Sequence, residues 1–222
     1  MMRLYELKNT YDIVISLGAP CQTAEQLRRH ELRTFSGPFD WTVLESVECL
    51  VKALDTRFEN YFLRENLVVD GEGEHNYLIY DTYYECMSVH DFPLVDHPDH
   101  IFDLYPAFIQ KMQRRINRFY ERIEKSKLTL FVRYHADYEE TKLLQKSLKT
   151  LTKNRFVLLV LNESDSAALM EEDWNIENTC ALRIKQTNLL RWSGYDPHWH
   201  IILDGVSVKN KGEKKIAGDP EI

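Results

Sequence analysis

Four short runs of the chain are almost continuously apolar: Asp12 to Leu17 (DIVISL), Leu128 to Tyr134 (LTLFVRY), Arg155 to Leu161 (RFVLLVL) and Cys180 to Ile184. Such runs read as strands covered on both faces, because a half-exposed strand alternates apolar and polar positions. Between them the period changes. Gln22 to Arg33, Pro106 to Lys125 and Glu139 to Leu151 read as helices, and Pro106 suits a first helical turn, where a missing N–H leaves no bond unmade. Val43, Leu44, Val47, Leu50, Val51 and Leu54 also share a helical face, which predicts a helix from Thr42 to Leu54 with Thr42 as N-cap and Glu45 three residues on. Asp70-Gly71-Glu72-Gly73 reads as a turn before β-rich segments at Asn76 to Tyr80 and Thr82 to Val89, a small hairpin elaboration between residues 67 and 90. This alternation predicts an α/β fold, with a mainly parallel central sheet flanked by helices.

A chain of 222 residues, 44% of them hydrophobic, can bury one sizeable core but is short for two, so residues 1–205 are expected to form a single domain. After Asp204 the sequence is rich in lysine and glycine and short of large apolar residues. Residues 206–222 are therefore expected to form a flexible tail. A net charge of -7 argues against general nucleic-acid binding, which needs a basic face to neutralise phosphates. No run approaches the ~20 apolar residues that span a bilayer, and no apolar run of signal-peptide length opens the chain, so the expected compartment is the cytoplasm and no membrane partner is expected. Cys21, Cys49, Cys86 and Cys180 never form a Cys-x-x-Cys pair, which predicts free thiols.

In parallel α/β sheets ligands sit beyond the carboxyl ends of the strands. Here those ends read Ser16-Leu17-Gly18, Arg133-Tyr134-His135, Asn162-Glu163-Ser164 and Arg183-Ile184-Lys185. The first runs through Ala19 and Pro20 into Cys21 at the start of a helical stretch. Orphan amides and the positive helix end there favour an anion, so the Cys21 thiol is expected to be acidified and nucleophilic. Gly18 would admit a substrate to the backbone, and the amides of Cys21 and Gln22 could hold an oxyanion. A base would come from His90, His135, His198 or His200. His90 has Asp91 beside it as an orienting carboxylate, although neighbours on an extended chain face opposite ways, and Asp40 is the other choice. Pro38-Phe39-Asp40-Trp41 offers an aromatic pocket wall through Trp41, or else a helix entry. Arg114, Arg115 and Arg118, with Arg133, could clamp a carboxylate or phosphate. His90-Asp91, Asp96-His97, Asp99-His100 and Asp103 gather potential metal ligands in a short segment, but no known spacing matches, so neither a metal nor another cofactor is expected.

The ordered set Ser16-Leu17-Gly18-x-x-Cys21, Leu27-Arg28-Arg29, Gly37-Pro38-Phe39-Asp40-Trp41, His90-Asp91-Phe92 and Arg114-Arg115-x-x-Arg118-Phe119 resembles a bacterial family of unknown function labelled as papain-like cysteine peptidases. The resemblance implies a cysteine-dependent hydrolase or acyltransferase acting on a small-molecule or peptide substrate. In it Cys21 would be the nucleophile, His90 the base, and Asp91 or Asp40 the third member. It also implies a papain-like α+β fold as the alternative architecture, yet no glutamine precedes Cys21 as the usual oxyanion donor. A different class, a Rossmann-like transferase or binding domain for a nucleotide, sugar or other anion, would use the same crevice with Cys21 as an ordinary loop residue.

Overall fold

A computed structural model describes residues 2–95, 98–185 and 192–209. The helices are α1 (Leu4–Leu7), α2 (Gln22–Arg29), α3 (Val47–Asp55), α4 (Tyr105–Lys125), α5 (Tyr138–Leu151) and α6 (Asp196–Leu203). The strands are β1 (Thr10–Tyr11), β2 (Ile13–Ser16), β3 (Thr42–Val43), β4 (Leu67–Glu72), β5 (Tyr77–Asp81), β6 (Cys86–Ser88), β7 (Leu128–Tyr134), β8 (Arg155–Ser164), β9 (Met170–Glu172), β10 (Thr179–Lys185) and β11 (Ser207–Val208). The chain is α/β, with its strands in sheets of more than one kind.

The apolar runs form the sheet β2-β7-β8-β10-β9, in which the first four strands pair in parallel and β9 runs antiparallel. Successive residues of β8 point to opposite faces, and both faces are buried. Phe156, Leu158 and Val160 join a core with α3, α4 and α5, while Val157, Leu159 and Leu161 join a core with α2 and α6. That double covering is why these segments read as unbroken apolar runs.

The mainly parallel expectation does not extend to the rest. Residues 67–90 are no small hairpin, because they combine with β3 into a four-stranded antiparallel sheet, β3-β6-β5-β4. The Asp70-to-Gly73 turn is largely strand: Gly71 sits at a register shift in β4, and Gly73 N–H reaches Asn76 carbonyl. The helix expected from Thr42 starts only at Val47, capped by Ser46, whose hydroxyl accepts from Cys49 N–H at 3.1 Å. Thr42 and Val43 instead pair with Ser88 and Met87. Burial against that partner strand overrides the helical spacing of the apolar residues. Nor does a tail begin at residue 206: Val206 and Val208 are buried and β11 pairs in parallel with β1. Residues 210–222 lie outside the described residues.

Candidate active site

The four parallel strands present their carboxyl ends on one edge, and β2 delivers Cys21 there through a strained loop. Gly18 and Ala19 both have positive φ, +72° and +93°, the second a conformation that costs an L-residue on the order of 1–3 kcal/mol. A Cβ on Gly18 would meet Phe39 carbonyl oxygen at 3.3 Å, so the close approach this glycine permits is that of the Phe39-to-Thr42 segment rather than of a substrate. Leu44 N–H donates to Ala19 carbonyl at 3.3 Å and holds the two segments together.

Cys21 is the N-cap residue of α2, and its thiol is buried. Burial pushes that thiol up to about 12; its own amide N–H opposes the shift, and the carboxylates of Asp40 and Asp91 add to it. The expected acidified thiolate is therefore not what this environment produces. A sulfur removed from water and facing two carboxylates keeps its proton at neutral pH, whatever the helix end contributes.

Asp40 and Asp91 converge on Cys21 from different sheet connections, each neutralised by a cation the sequence did not single out. Asp40 accepts from Arg33 Nε at 2.7 Å and from Gly37 N–H at 2.8 Å. Asp91 accepts from Lys111 Nζ at 2.6 Å and from Ser88 hydroxyl at 2.8 Å. A buried carboxylate needs a cation or several hydrogen-bond donors, as at Asp81, which accepts from the Phe62, Tyr83 and Tyr84 amides. Sequence announces the need but not which cation of a distant segment meets it. Neither aspartate bonds to His90, so neither orients its imidazole here.

His90 is half-buried and packs edge-on against Trp41, ring centroids 5.5 Å apart, and Trp41 in turn lies under the Arg33 guanidinium at 5.2 Å. Pairing of Thr42 with Ser88 brings these two motifs side by side. Burial lowers the His90 pKa, with Asp91 opposing, so the imidazole is neutral near pH 7. Among the described residues it has no hydrogen bond to Cys21.

Several expected ligand-facing groups instead hold the fold together. Ser16 is buried and its hydroxyl accepts from Gly18 N–H at 3.1 Å. Arg133 is fully buried and donates to the carbonyls of Leu17, Leu44, Glu45 and His135 at 3.0, 2.8, 2.5 and 3.1 Å; burial lowers its pKa to about 10. With those donors engaged it cannot clamp a substrate anion. The Gln22 side chain is buried against Gly194, leaving only its backbone amide at the helix start. His198 is locked by Lys185 N–H on Nδ1 and by Ala167 carbonyl at Nε2, at 3.0 and 3.1 Å, which excludes it as a base. Leu27-Arg28-Arg29 belongs to a helix-surface ion cluster, in which both arginines hold the carboxylate of Glu25. Arg114 is exposed, whereas Arg115 is buried.

His135 sits apart, in an open cleft of about 590 Å³ lined by Glu45, Asn162, Glu163, Trp174 and Arg183 among others. Its φ is +60°, its Nε2 lies 4.0 Å from Glu163, and burial lowers its pKa against the pull of that carboxylate. Cys21 does not line this cleft. Among the described residues no group of His, Cys, Asp and Glu is placed to hold a metal ion; Asp96 and His97 lie outside them.

A family described as "putative papain-like cysteine peptidase" matches residues 12–162, the stretch that carries Cys21, Asp40, Trp41, His90, Asp91 and Arg115. The chain belongs to that family. A relative from Acanthamoeba polyphaga mimivirus, itself an uncharacterized protein, is 25% identical over 182 residues, covering 70% of this chain and 80% of its own. That relative is viral, where the resemblance implied a bacterial source. No solved structure matches the chain. Among the described residues no helix is long and apolar enough to cross a membrane.

Proposed function

We propose that this protein is a cysteine-dependent hydrolase in which Cys21 attacks an acyl carbon and His90 takes the thiol proton. The observation that carries the proposal is the meeting of three separate motifs: Leu44 N–H ties the segment after Trp41 to Ala19 in the Cys21 loop, Thr42 pairs with Ser88, and Trp41 packs against His90. Strain at Ala19, stored where the chain turns into α2, fits a positioned nucleophile.

Both partners rest uncharged, so the chemistry is general-base catalysis rather than attack by a preformed thiolate. As the Cys21 sulfur bonds to the acyl carbon, its proton passes to the neutral His90 imidazole and from there to the departing amine or alcohol. The helix-start amides of Cys21 and Gln22 receive the oxyanion. Water then cleaves the thioester, releasing a carboxylic acid and restoring the thiol. An acceptor other than water would make the same intermediate an acyltransferase's. The imidazole, with no hydrogen bond among the described residues to fix it, turns toward the sulfur when substrate binds.

The proposal is tested with p-nitrophenyl acetate and intact-protein mass spectrometry. An acetyl adduct is expected on Cys21, absent in Cys21→Ala and formed at least tenfold more slowly in His90→Gln. Its rate should climb to a plateau through one ionisation below pH 6.5, because lowering the His90 pKa leaves the base free there. Acetylation of another residue, or an unchanged rate in His90→Gln, would sink it. A second reading, a binding domain for a small polar ligand, draws support from the open cleft at His135, whose carboxylate-rich lining does not favour an anion, and predicts no adduct on Cys21.

A further inference from the structure

Arg115 is 5% exposed, yet its Nε and Nη1 have no hydrogen-bond partner among the described residues. Its position follows from its helical neighbours. One turn before it on α4, Lys111 reaches Asp91; one turn after it, Phe119 packs on Phe39 with centroids 6.0 Å apart. Residues at i, i+4 and i+8 share a face, so Arg115 lies between those two contacts, over the junction of the 39–41 and 88–91 segments. That junction is the one that carries Trp41 and His90.

Arg33 holds Asp40 and Lys111 holds Asp91, which leaves the buried Arg115 guanidinium with two unbonded nitrogens and no counterion among the described residues. Such a group is costly unless something else completes it. We propose that Arg115 anchors a carboxylate of the substrate, beside the group that Cys21 attacks. A carboxylate carries the single negative charge needed to balance one guanidinium, and its two oxygens suit that planar donor set. A phosphate dianion would bring a second charge, and among the described residues no second cation has buried, unsatisfied nitrogens to meet it. The substrate class is then an acyl compound with a nearby carboxylate, such as a peptide cleaved close to its C-terminus. This assignment rests on the Cys21 reading for its place in the reaction, but binding of a carboxylate does not require acylation.

The test is thermal unfolding of the full chain at constant ionic strength with N-acetylglycine, its neutral amide, or inorganic phosphate. N-acetylglycine is expected to raise Tm by about 2–4 °C at saturation, in wild type and in Cys21→Ala alike, while the amide and phosphate do nothing. Arg115→Met, which removes an uncompensated charge, should melt at or above the wild-type temperature and lose the response. Should Arg115→Met not fold, Arg115→Lys substitutes for it and should need at least tenfold more N-acetylglycine for the same shift. No wild-type shift, an equal shift with the amide, a shift with phosphate alone, or Arg115→Met melting well below wild type would each overturn the proposal. A carboxylate response without acylation at Cys21 defeats the hydrolase reading only; acylation without the response defeats this one only.

Discussion

Cys21 and His135 follow neighbouring parallel strands on one sheet edge, yet the first is sealed and the second opens into a cleft of about 590 Å³. In the sealed region each aspartate has a dedicated cation, and the thiol is held protonated by burial. In the open one, His135 and Glu163 face each other at 4.0 Å across solvent-exposed space. The difference shows what burial demands of charge. Asp40 and Asp91 are each held by a cation, whereas at the cleft Glu163 accepts from the Tyr134 hydroxyl and Glu172 pairs with Arg183, and the unsatisfied Arg115 nitrogens belong to the sealed region.

Arg133 joins the two, since its guanidinium spans Leu17 carbonyl on the Cys21 side and His135 carbonyl at the cleft. Replacing it with methionine strands four carbonyl oxygens and should destabilise the protein by about 3–5 kcal/mol in urea unfolding. A loss under about 1 kcal/mol would mean that the carbonyls find other donors and the regions are independently supported. A smaller and more local effect is expected of Gly18→Ala. Its positive φ and the 3.3 Å approach to Phe39 carbonyl should cost about 1–3 kcal/mol and slow acylation of Cys21, leaving the cleft unchanged. Loss of stability without any change in acylation would detach the loop strain from the chemistry.

The finest comparison is electrostatic and is read by NMR titration of the two imidazoles. Both should titrate below pH 6.5, because burial disfavours the cation at each. Asp91→Asn removes a charge that favours protonated His90 and should move that titration further down while leaving His135 in place; Glu163→Gln should do the converse. Shifts that cross between the sites would show that they share one field. The sign also fixes the acid limb of stability. The unfolded chain takes up these protons first, so stability falls as pH drops from about 6.5 toward the lower folded values.

Both the runs destined for the doubly covered sheet and the long helix opening at Pro106 could be read in the sequence, because unbroken apolar character and helical period are local signals. The second sheet could not, since Thr42 and Val43 carry a helical pattern and become strand only by meeting Ser88 and Met87, which lie far along the chain. At the candidate site the residue types were legible and their states were not. Position at a helix start argued for an acidic Cys21; the shell formed by three distant segments decided otherwise. Arg133 and Arg115 look alike in sequence, and only the tertiary structure distinguishes an arginine held by four carbonyls from one whose Nε and Nη1 have no acceptor among the described residues.

The pairing of β1 with β11 also dictates an order of events during synthesis. Met2 N–H awaits Thr179 carbonyl, Leu4 N–H awaits Glu171, and Thr10 and Tyr11 await Ser207 and Val208. These groups of residues 2–11 are therefore satisfied only by segments that leave the ribosome much later. Translation must run almost to residue 209 before the amino-terminal segment can dock and close the face formed by α2 and α6, so a nascent chain exposes that apolar surface for most of its growth, a natural place for a chaperone to bind.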